Sequence, residues 1–215
     1  MNRSWPSTFA CELDGAIASA GFSSGHRFVV GHWDESPLGP MDDVMWARPD
    51  GERVLIVDRP AVADFITSVY HFDAVETRPL SVAMDGAALV VTAGELRLAL
   101  RAGRRWPIPL LALRSRRSLR PIERLVARVV LGVCTSGTSP TGVHEWYRAS
   151  EYRPVVAAEA YLEGRHLGEL GRFHEPAGFG FSEPPRRPAI VRVRPRLEDP
   201  TGRLEEVLRG GRRGR

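Results

Sequence analysis

Residues 33–51 read WDESPLGPMDDVMWARPDG, and this stretch contains the turn and the strand around which the rest of the fold is predicted. The segment 37–40, PLGP, has a glycine between prolines, which is typical of a tight turn. Residues 44–48 alternate and predict a strand. Because side chains alternate along a strand, we expect one of Asp42 and Asp43, at its mouth, to face inward and the other outward.

An inward carboxyl group matters for function. In a partly apolar cavity its pKa is raised, so that it can donate or accept a proton near neutral pH. The alternative interpretation is an ordinary acidic turn in which Asp42 and Asp43 both lie in water.

Short strands are predicted on both sides of this stretch. RFVVGHW at 27–33 precedes the turn, and RVLIV at 53–57 is apolar enough to be a buried strand. Residues 60–70 predict a helix, because Pro60 suits the first turn and apolar residues recur at helical spacing. Asp58 is the candidate cap of this helix.

A meander of strands is predicted after the helix. The turn Asp85-Gly86 lies between two apolar runs and is a strong hairpin signal, and ELRLALR at 95–101 alternates like a half-buried antiparallel strand. A second helix is predicted over 122–130 and a further strand over 154–162. Residues 11–20 are ambiguous, with a short helix as one interpretation. The pattern predicts a mainly β fold (β-rich α+β), an antiparallel barrel or sandwich with two or three peripheral helices.

The chain is expected to form one domain with an appendage. Its 215 residues, 43% of them hydrophobic, suffice for one sizeable core. We place a single β-barrel-like domain at 1–175 and a Pro/Arg-rich extension at 176–215, where AIVRVRPRL at 189–197 predicts one edge strand before a disordered tail. No stretch has the roughly 20 apolar residues of a membrane span, and no signal peptide is recognisable, so a cytoplasmic location is expected.

Basic residues are concentrated in one segment. The chain has 30 arginines and no lysine, with a net charge of +4. Residues 101–128 hold nine arginines and one glutamate, a net of +8. In a non-catalytic interaction protein, which is the second function class considered, this block would contact an acidic partner, nucleic acid or a membrane surface. The simpler interpretation is a solvated arm, because its arginines are not interleaved with the aromatics that single-strand binders use.

Several kinds of site are not indicated. The six histidines show neither HxH nor HExxH spacing, so no metal is predicted. There is no GxSxG nucleophile elbow, GK[ST] phosphate loop or GxGxxG motif, and no cofactor is predicted. The two cysteines, Cys11 and Cys134, do not suggest a disulfide framework. Nucleic acid and membrane are disfavoured as partners, a small organic ligand is favoured, and a homo-oligomer is left open.

The order of elements around the turn resembles that of the acetoacetate decarboxylase-like superfamily, whose members often carry a stretch similar to SPVGPYxE at this point. The matching residues are Ser36–Asp43, SPLGPMDD, and the resemblance covers roughly residues 27–101. It implies a curved antiparallel sheet that closes into a cone or barrel with a small-molecule site inside. By position, Asp43 resembles the acid of that site, with aspartate in place of glutamate shortening its reach.

The resemblance fails at the catalytic lysine of the decarboxylase. That lysine is expected after the helix, near residues 70–74, and this chain has no lysine there or elsewhere. Imine-based decarboxylation is therefore excluded, because no side-chain amine can form a Schiff base. The leading hypothesis is a protein that binds, and in the enzymatic version transforms without Schiff-base chemistry, a small organic acid or carbonyl compound. An enzyme fold that has lost its chemistry remains an alternative.

The candidate catalytic residues are Asp43 and His71. Imidazole titrates near neutral pH, and His71 lies where the resemblance puts the active loop, so the pair would act as acid and base. Tyr70 and Trp46 would bind the substrate beside them. The simpler interpretation of His71 is a surface or core histidine.

A second group of candidates lies at residues 144–148, HEWYR. Hydrogen-bonding groups alternate there with large rings, so this segment is a candidate pocket wall. Trp146 would contact the substrate, and Arg148 would clamp a carboxylate. The simpler interpretation is a loop whose rings pin it to the core.

Overall fold

The computed structural model describes residues 8–105, 136–172, 176–180 and 183–213. Within these ranges the chain forms fourteen strands and two helices. The strands are β1 (Phe9–Glu12), β2 (Asp14–Phe22), β3 (Arg27–Glu35), β4 (Met41–Ala47), β5 (Arg53–Val57), β6 (Ala74–Thr77), β7 (Leu80–Asp85), β8 (Ala88–Ala93), β9 (Leu96–Ala102), β10 (Ser136–Thr138), β11 (His144–Leu162), β12 (Arg165–His166), β13 (Leu170–Gly171) and β14 (Ala189–Asp199). The helices are α1 (Pro60–Thr67) and α2 (Arg203–Arg213).

All these strands belong to one sheet that curls strongly into a half-barrel. Its order is β6-β5-β4-β3-β2-β14-β11-β9-β8-β7, with β1, β10, β12 and β13 paired beside this path. Only β5 and β6 pair in parallel among the described strands, and α1 is the crossover between them. The prediction of a β-rich curved sheet with few helices is confirmed.

The hairpin of β3 and β4 is built on the predicted turn. Gly39 adopts a φ of +78°, which glycine tolerates without strain. Its N–H donates to the carbonyl of Ser36 at 3.0 Å, and the Ser36 hydroxyl accepts from the N–H of Leu38 at 3.1 Å. This turn fixes a register in which Gly31 lies directly opposite Asp43.

The sheet carries a separate hydrophobic core on each face. Residues from near both ends of the strand order meet in the first core, among them Val54 of β5 and Leu89 of β8, so this core fills the inside of the curl. The second core includes Phe65 of α1 and Leu204 of α2, and it therefore lies on the outer face beneath the helices. Alternate side chains of each strand supply the two cores. Each fully buried Leu or Phe contributes about 2–3 kcal/mol of transfer free energy, so both faces stabilise the sheet.

Helix α1 begins with Pro60, as predicted, but Asp58 does not cap it. Arg59 occupies the N-cap position with no side-chain cap hydrogen bond, and Asp58 forms an ion pair with Arg59 at 2.8 Å. The helix is held instead by its buried face, where Phe65 and Ile66 pack against the sheet.

The structure decides three points near the chain ends. Residues 11–20, which were ambiguous from sequence, contribute to β1 and β2 and form no helix, because small residues of β2 are buried on both faces and hide the alternation. β14 is an interior strand and not an edge strand, since it pairs with β2 on one side and β11 on the other. The prediction of a disordered tail after β14 is wrong for residues 203–213, which form α2. Leu204 and Leu208 of this helix pack into the outer core, so residues 189–208 belong to the sheet and its core.

Part of the predicted organisation lies outside the described residues. The arginine-rich block 101–128 is described only as far as residue 105, and the predicted helix over 122–130 is not covered. Neither α1 nor α2, within the part of the chain that the structure describes, is long and apolar enough to cross a membrane.

Candidate functional site

Asp43 is buried on the outer face of the sheet, in the middle of β4, and only 1% of the residue is exposed. It pairs with Gly31 on one side and Val57 on the other. The indole Nε1 of Trp33 donates a hydrogen bond to Asp43 Oδ1 at 2.9 Å. Gly31 leaves space for this contact, because a Cβ at this position would lie 2.2 Å from Asp43 Oδ1 and 2.5 Å from Trp33 Nε1.

Burial changes the acidity of this carboxyl group. Loss of hydration disfavours the carboxylate and raises the pKa of Asp43 to about 6, against the lowering effect of the Trp33 hydrogen bond. The negative charge of Asp42 acts in the same direction as burial. Asp43 therefore exchanges its proton close to neutral pH.

Asp42, the preceding residue, lies on the opposite face of β4 and is partly exposed. Its Oδ1 is 2.7 Å from Nδ1 of His32, and both side chains are about a quarter exposed. The hydrogen bond to Asp42 raises the pKa of His32. The alternation expected for the aspartate pair is therefore present, with Asp43 as the buried member. Asp43 is buried beneath α1 on the outer face, however, and not inside the curl of the sheet, where the resemblance implies the site.

A second buried carboxyl group, Glu145 of β11, holds two tyrosines. The hydroxyl of Tyr70 donates to Glu145 Oε2 at 2.6 Å, and the hydroxyl of Tyr147 donates to the same oxygen at 3.0 Å. The two hydroxyl oxygens are 2.6 Å apart. Tyr70 follows α1 in the chain, and Gly180 leaves space for its ring, since a Cβ there would lie 2.6 Å from Tyr70 Cδ1.

Desolvation dominates the acidity of this cluster as well. Glu145 is completely buried, and burial raises its pKa to about 7 although both tyrosine hydroxyls stabilise the carboxylate. Burial also raises the pKa of Tyr70 and Tyr147 well above the usual range, so both keep their protons. Glu145 Oε1 is buried and has no hydrogen-bond partner among the described residues. An unpaired buried carboxylate oxygen is costly, which favours the protonated form.

Asp43, Tyr70 and Tyr147 line one cavity between the outer face of the sheet and α1. Its volume is about 40 Å³, which is room for about three water-sized groups at roughly 10–15 Å³ each. Trp33 also lines it. The other walls are mostly aliphatic and include Leu13, Ile17, Met45, Ile66, Val69 and Leu197. No arginine or histidine is among the lining residues in the part of the chain that the structure describes.

Of the six residues predicted from sequence, the structure brings two together, Asp43 and Tyr70. Trp46 is buried on the opposite face of β4, inside the curl, where its Nε1 donates to His26 Nδ1 at 3.0 Å. His71 is exposed and does not line the cavity, because the chain has turned out of the core after Tyr70.

The segment 144–148 does border the cavity, as predicted for a pocket wall. The side chains on its cavity side, however, are not the predicted Trp146 and Arg148. Trp146 and Arg148 point away from the cavity, and Trp146 is 38% exposed. Glu145 and Tyr147, which alternate with them, point inward. The signal was present, since Val143 and Ala149 continue the apolar side of the same alternation. It was missed because the strand was expected to begin only at 154.

Comparisons with models of protein families, with curated proteins and with solved structures gave no match for this chain. The acetoacetate decarboxylase-like resemblance of residues 27–101 therefore stays a prediction. Within the described ranges, no three His, Cys, Asp or Glu side chains converge as a metal site requires. The chemistry that the site offers is proton exchange at two buried carboxyl groups and hydrogen bonding by two tyrosines.

Proposed function

We propose that this protein binds a small, uncharged carbonyl compound in the cavity beneath Asp43, where Asp43 serves as a proton acceptor and donor. One observation carries the proposal: a fully buried carboxyl group, with a pKa of about 6, lines a mostly apolar cavity together with two tyrosines. Pockets with few polar groups at fixed positions among apolar walls are typical of small-molecule sites.

The walls favour an uncharged ligand over an organic acid. A buried carboxylate ligand needs a cation or several N–H donors, and the described lining residues offer neither arginine nor histidine. Asp43 itself would repel an anion once it is ionised. Arg148, expected to clamp a carboxylate, is exposed on the other face of β11.

The volume limits the ligand to about three or four non-hydrogen atoms, such as acetone or propanal, or slightly more if side chains shift. Very small ligands gain at most about 1.5 kcal/mol per non-hydrogen atom. For four atoms this is a ceiling of about 6 kcal/mol, which corresponds to a dissociation constant of tens of micromolar at best. Millimolar affinity is therefore the expected range.

Two indoles give the experiment an internal control. In a ¹H–¹⁵N spectrum, the Trp33 Nε1–H resonance reports on the cavity and the Trp46 resonance on the inside of the curl. Titration with acetone, propanal and hydroxyacetone should shift the Trp33 resonance and leave that of Trp46 in place. Acetate and propionate at equal concentration should shift neither.

Assignment requires Trp33→Phe and Trp46→Phe, each of which removes one resonance. If no carbonyl compound moves the Trp33 resonance of the folded protein, the proposed function is wrong. If acetate binds as well as acetone, an uncharged ligand is the wrong class.

A further inference from the structure

Resting on the proposed function, we infer that the protonated carboxyl group of Asp43 recognises the ligand, with Oδ2–H donating a hydrogen bond to the carbonyl oxygen. Trp33 positions this donor by holding Oδ1. The ligand class is a small molecule that accepts a hydrogen bond at this point, such as a ketone or an aldehyde. Binding of this ligand at neutral pH therefore takes up a proton.

The second oxygen of Asp43 borders the cavity. Only 1% of the residue is exposed, and it is one of the residues that line the cavity. Oδ1 accepts the indole N–H of Trp33 at 2.9 Å, and no described residue bonds to Oδ2. Among the described residues, the side-chain atoms that are fully enclosed without a hydrogen-bond partner belong to Arg48, Arg78 and Glu145, so Oδ2 contacts open space. For a residue this deeply buried, that space is the cavity.

The Trp33 contact determines which oxygen of Asp43 carries the proton. A protonated carboxyl group has one strong acceptor, the carbonyl oxygen, and one donor, the hydroxyl. The indole N–H favours the carbonyl form at Oδ1, so the proton is held at Oδ2, towards the cavity. Burial raises the pKa of Asp43 to about 6, so most molecules carry this proton in mildly acidic solution.

The other polar side chains of the cavity are engaged elsewhere. The Trp33 N–H donates to Oδ1 of Asp43. The hydroxyls of Tyr70 and Tyr147 are in contact with each other and with Glu145 Oε2, at 2.6–3.0 Å. The remaining described lining residues have apolar side chains or, at Gly31, none. A ligand oxygen in this cavity therefore depends on Asp43 for its hydrogen bond, and a buried carbonyl group without one is costly.

The ionised form of Asp43 cannot recognise a ketone. A carboxylate offers acceptors only, so it faces the ketone oxygen with no proton between them. The lone pairs repel, and the described lining residues include no arginine or histidine to offset the charge. An alcohol of the same size behaves differently, because its hydroxyl accepts from the carboxyl group and donates to the carboxylate. The protonation state of Asp43 therefore decides between a ketone and an alcohol.

Few titratable groups face Asp43 among the described residues. Tyr70 and Tyr147 share its cavity, and burial raises their pKa well above the usual range, so both stay neutral. Glu145, with a pKa of about 7, contacts these tyrosines and does not line the cavity. Asp42, on the opposite face of β4, raises the pKa of Asp43 through its charge. The parts of α1, β2 and β14 that line the cavity contribute no titratable side chain.

The experiment compares acetone with propan-2-ol, which has the same number of non-hydrogen atoms, at pH 5 and pH 8. Binding is followed by the Trp33 Nε1–H resonance. The dissociation constant of acetone should be roughly 100-fold higher at pH 8 than at pH 5, because only about 1% of Asp43 is protonated two pH units above its pKa. The dissociation constant of propan-2-ol should change much less.

Asp43→Asn distinguishes recognition by the proton from recognition by shape. Asn keeps an acceptor for the Trp33 N–H and presents an NH₂ donor in place of Oδ2–H at every pH. The variant should bind acetone equally well at pH 5 and pH 8, and roughly 100-fold more tightly than the wild type at pH 8.

Asp42→Asn is the matched control, because it makes the same change on the other face of β4. This variant should keep the loss of acetone affinity at high pH. Its midpoint should lie at slightly lower pH, since the charge that raises the pKa of Asp43 is removed. Circular dichroism confirms that both variants are folded before their affinities are interpreted.

Proton uptake gives a second measurement that needs no variant. In the free protein the Trp33 indole resonance follows the ionisation of Asp43, because its N–H is bonded to Oδ1. Saturating acetone should move this titration to higher pH, since the binding of ligand and of proton are linked reciprocally. Propan-2-ol should move it less.

The outcomes separate this inference from the proposed function. Acetone affinity that is equal at pH 5 and pH 8 in the wild type, or a folded Asp43→Asn variant that does not bind acetone, would overturn recognition by the proton and leave the binding function standing. No acetone binding at pH 5 would overturn both. If Asp43→Asn does not fold, the effect of acetone on the Trp33 titration decides, and an unmoved titration rejects the inference.

Discussion

Among the described residues, three carboxyl groups are buried beneath the helices, and they differ in how many hydrogen bonds they accept. Asp199 accepts the N–H groups of Thr201 and Leu204 and the Thr201 hydroxyl, all at 2.6–2.7 Å. Asp43 accepts one indole N–H, and Glu145 accepts two hydroxyls on one oxygen and none on the other. Desolvation raises the pKa of all three, but at Asp199 the hydrogen bonds outweigh it and lower the pKa.

Under the proposed function, this difference distinguishes a structural carboxylate, Asp199, from a candidate functional one. The start of α2 needs an acceptor for its free N–H groups, and Asp199 supplies one that stays ionised. Among the described residues, Asp43 accepts one hydrogen bond and Glu145 accepts hydrogen bonds on one oxygen only. A buried carboxyl group that is short of partners lowers stability, so a role in chemistry is our proposed reason for the presence of Asp43 in the cavity.

The largest expected effect on stability is at Asp199. Asp199→Asn replaces one acceptor oxygen with NH₂, so either the Leu204 or the Thr201 N–H loses its partner. We expect a loss of about 3 kcal/mol in the free energy of unfolding at pH 7. Because the folded pKa is lowered, this stabilisation is complete above the unfolded pKa near 4 and disappears as the pH falls through the folded value. Urea denaturation at pH 7 and pH 3 measures both. Glu198→Gln, a neighbour on the other face, should change little at either pH.

An Asp→Asn substitution at Asp43 should raise the free energy of unfolding at neutral and higher pH, whereas Asp199→Asn lowers it. Asn resembles protonated Asp and can still accept the Trp33 N–H. The pKa of Asp43 is raised from 3.8 to about 6 on folding, so its favourable contribution is complete below pH 4 and lost as the pH rises through about 6. Asp43→Asn should therefore be neutral near pH 4 and stabilising by up to about 3 kcal/mol at pH 8, at roughly 1.4 kcal/mol per pKa unit.

Urea denaturation across this pH range tests the sign directly. If Asp43→Asn were less stable than the wild type at pH 8, Asp43 would be a structural carboxylate like Asp199. The proposed difference between the two residues would then be wrong. Asp42→Asn serves as control, since that side chain pairs with His32 in partial contact with water.

Gly31 tests whether the Asp43–Trp33 contact requires the glycine. Gly31→Ala should cost about 2 kcal/mol, a usual value for overpacking, and should move the Trp33 indole resonance. Gly171→Ala is the matched control, because a Cβ there meets nothing within 4 Å. An unchanged Trp33 resonance in folded Gly31→Ala would mean that the contact does not depend on the glycine.

The strands near the quoted stretch could be predicted from sequence, and so could the inward carboxyl group. The apolar run 53–57 is a local signal that gives the bounds of β5 correctly, and the alternation along a strand implies that one of Asp42 and Asp43 is buried. The choice of Asp43, and that of Tyr70 after α1, came from the resemblance to the acetoacetate decarboxylase-like superfamily and not from neighbouring residues alone.

The rest of the site depends on pairings that local patterns do not reveal. Glu145 meets Tyr70 across 75 positions of sequence, and the two come together only because β14 joins β11 to β2 in the middle of the sheet. AIVRVRPRL looks like an edge strand, because its alternating arginines lie on a part-exposed face even though both neighbours are paired. Because β14 was expected at an edge of the sheet, no predicted strand pairing placed β11 near Asp43.

The smallest expected effect is at Tyr70, and it tests whether Glu145 titrates inside the cluster. Tyr70→Phe removes one hydrogen bond and should cost about 1 kcal/mol at pH 6, where Glu145 is mostly protonated. At pH 8 ionised Glu145 needs the donor more, so the cost should be larger, and the pKa of Glu145 should rise above about 7. Tyr161→Phe should cost close to nothing at both pH values. If Tyr70→Phe lowers the free energy of unfolding by the same amount at pH 6 and pH 8, Glu145 keeps one protonation state over this range. The Glu145 cluster would then have a structural role, as Asp199 has.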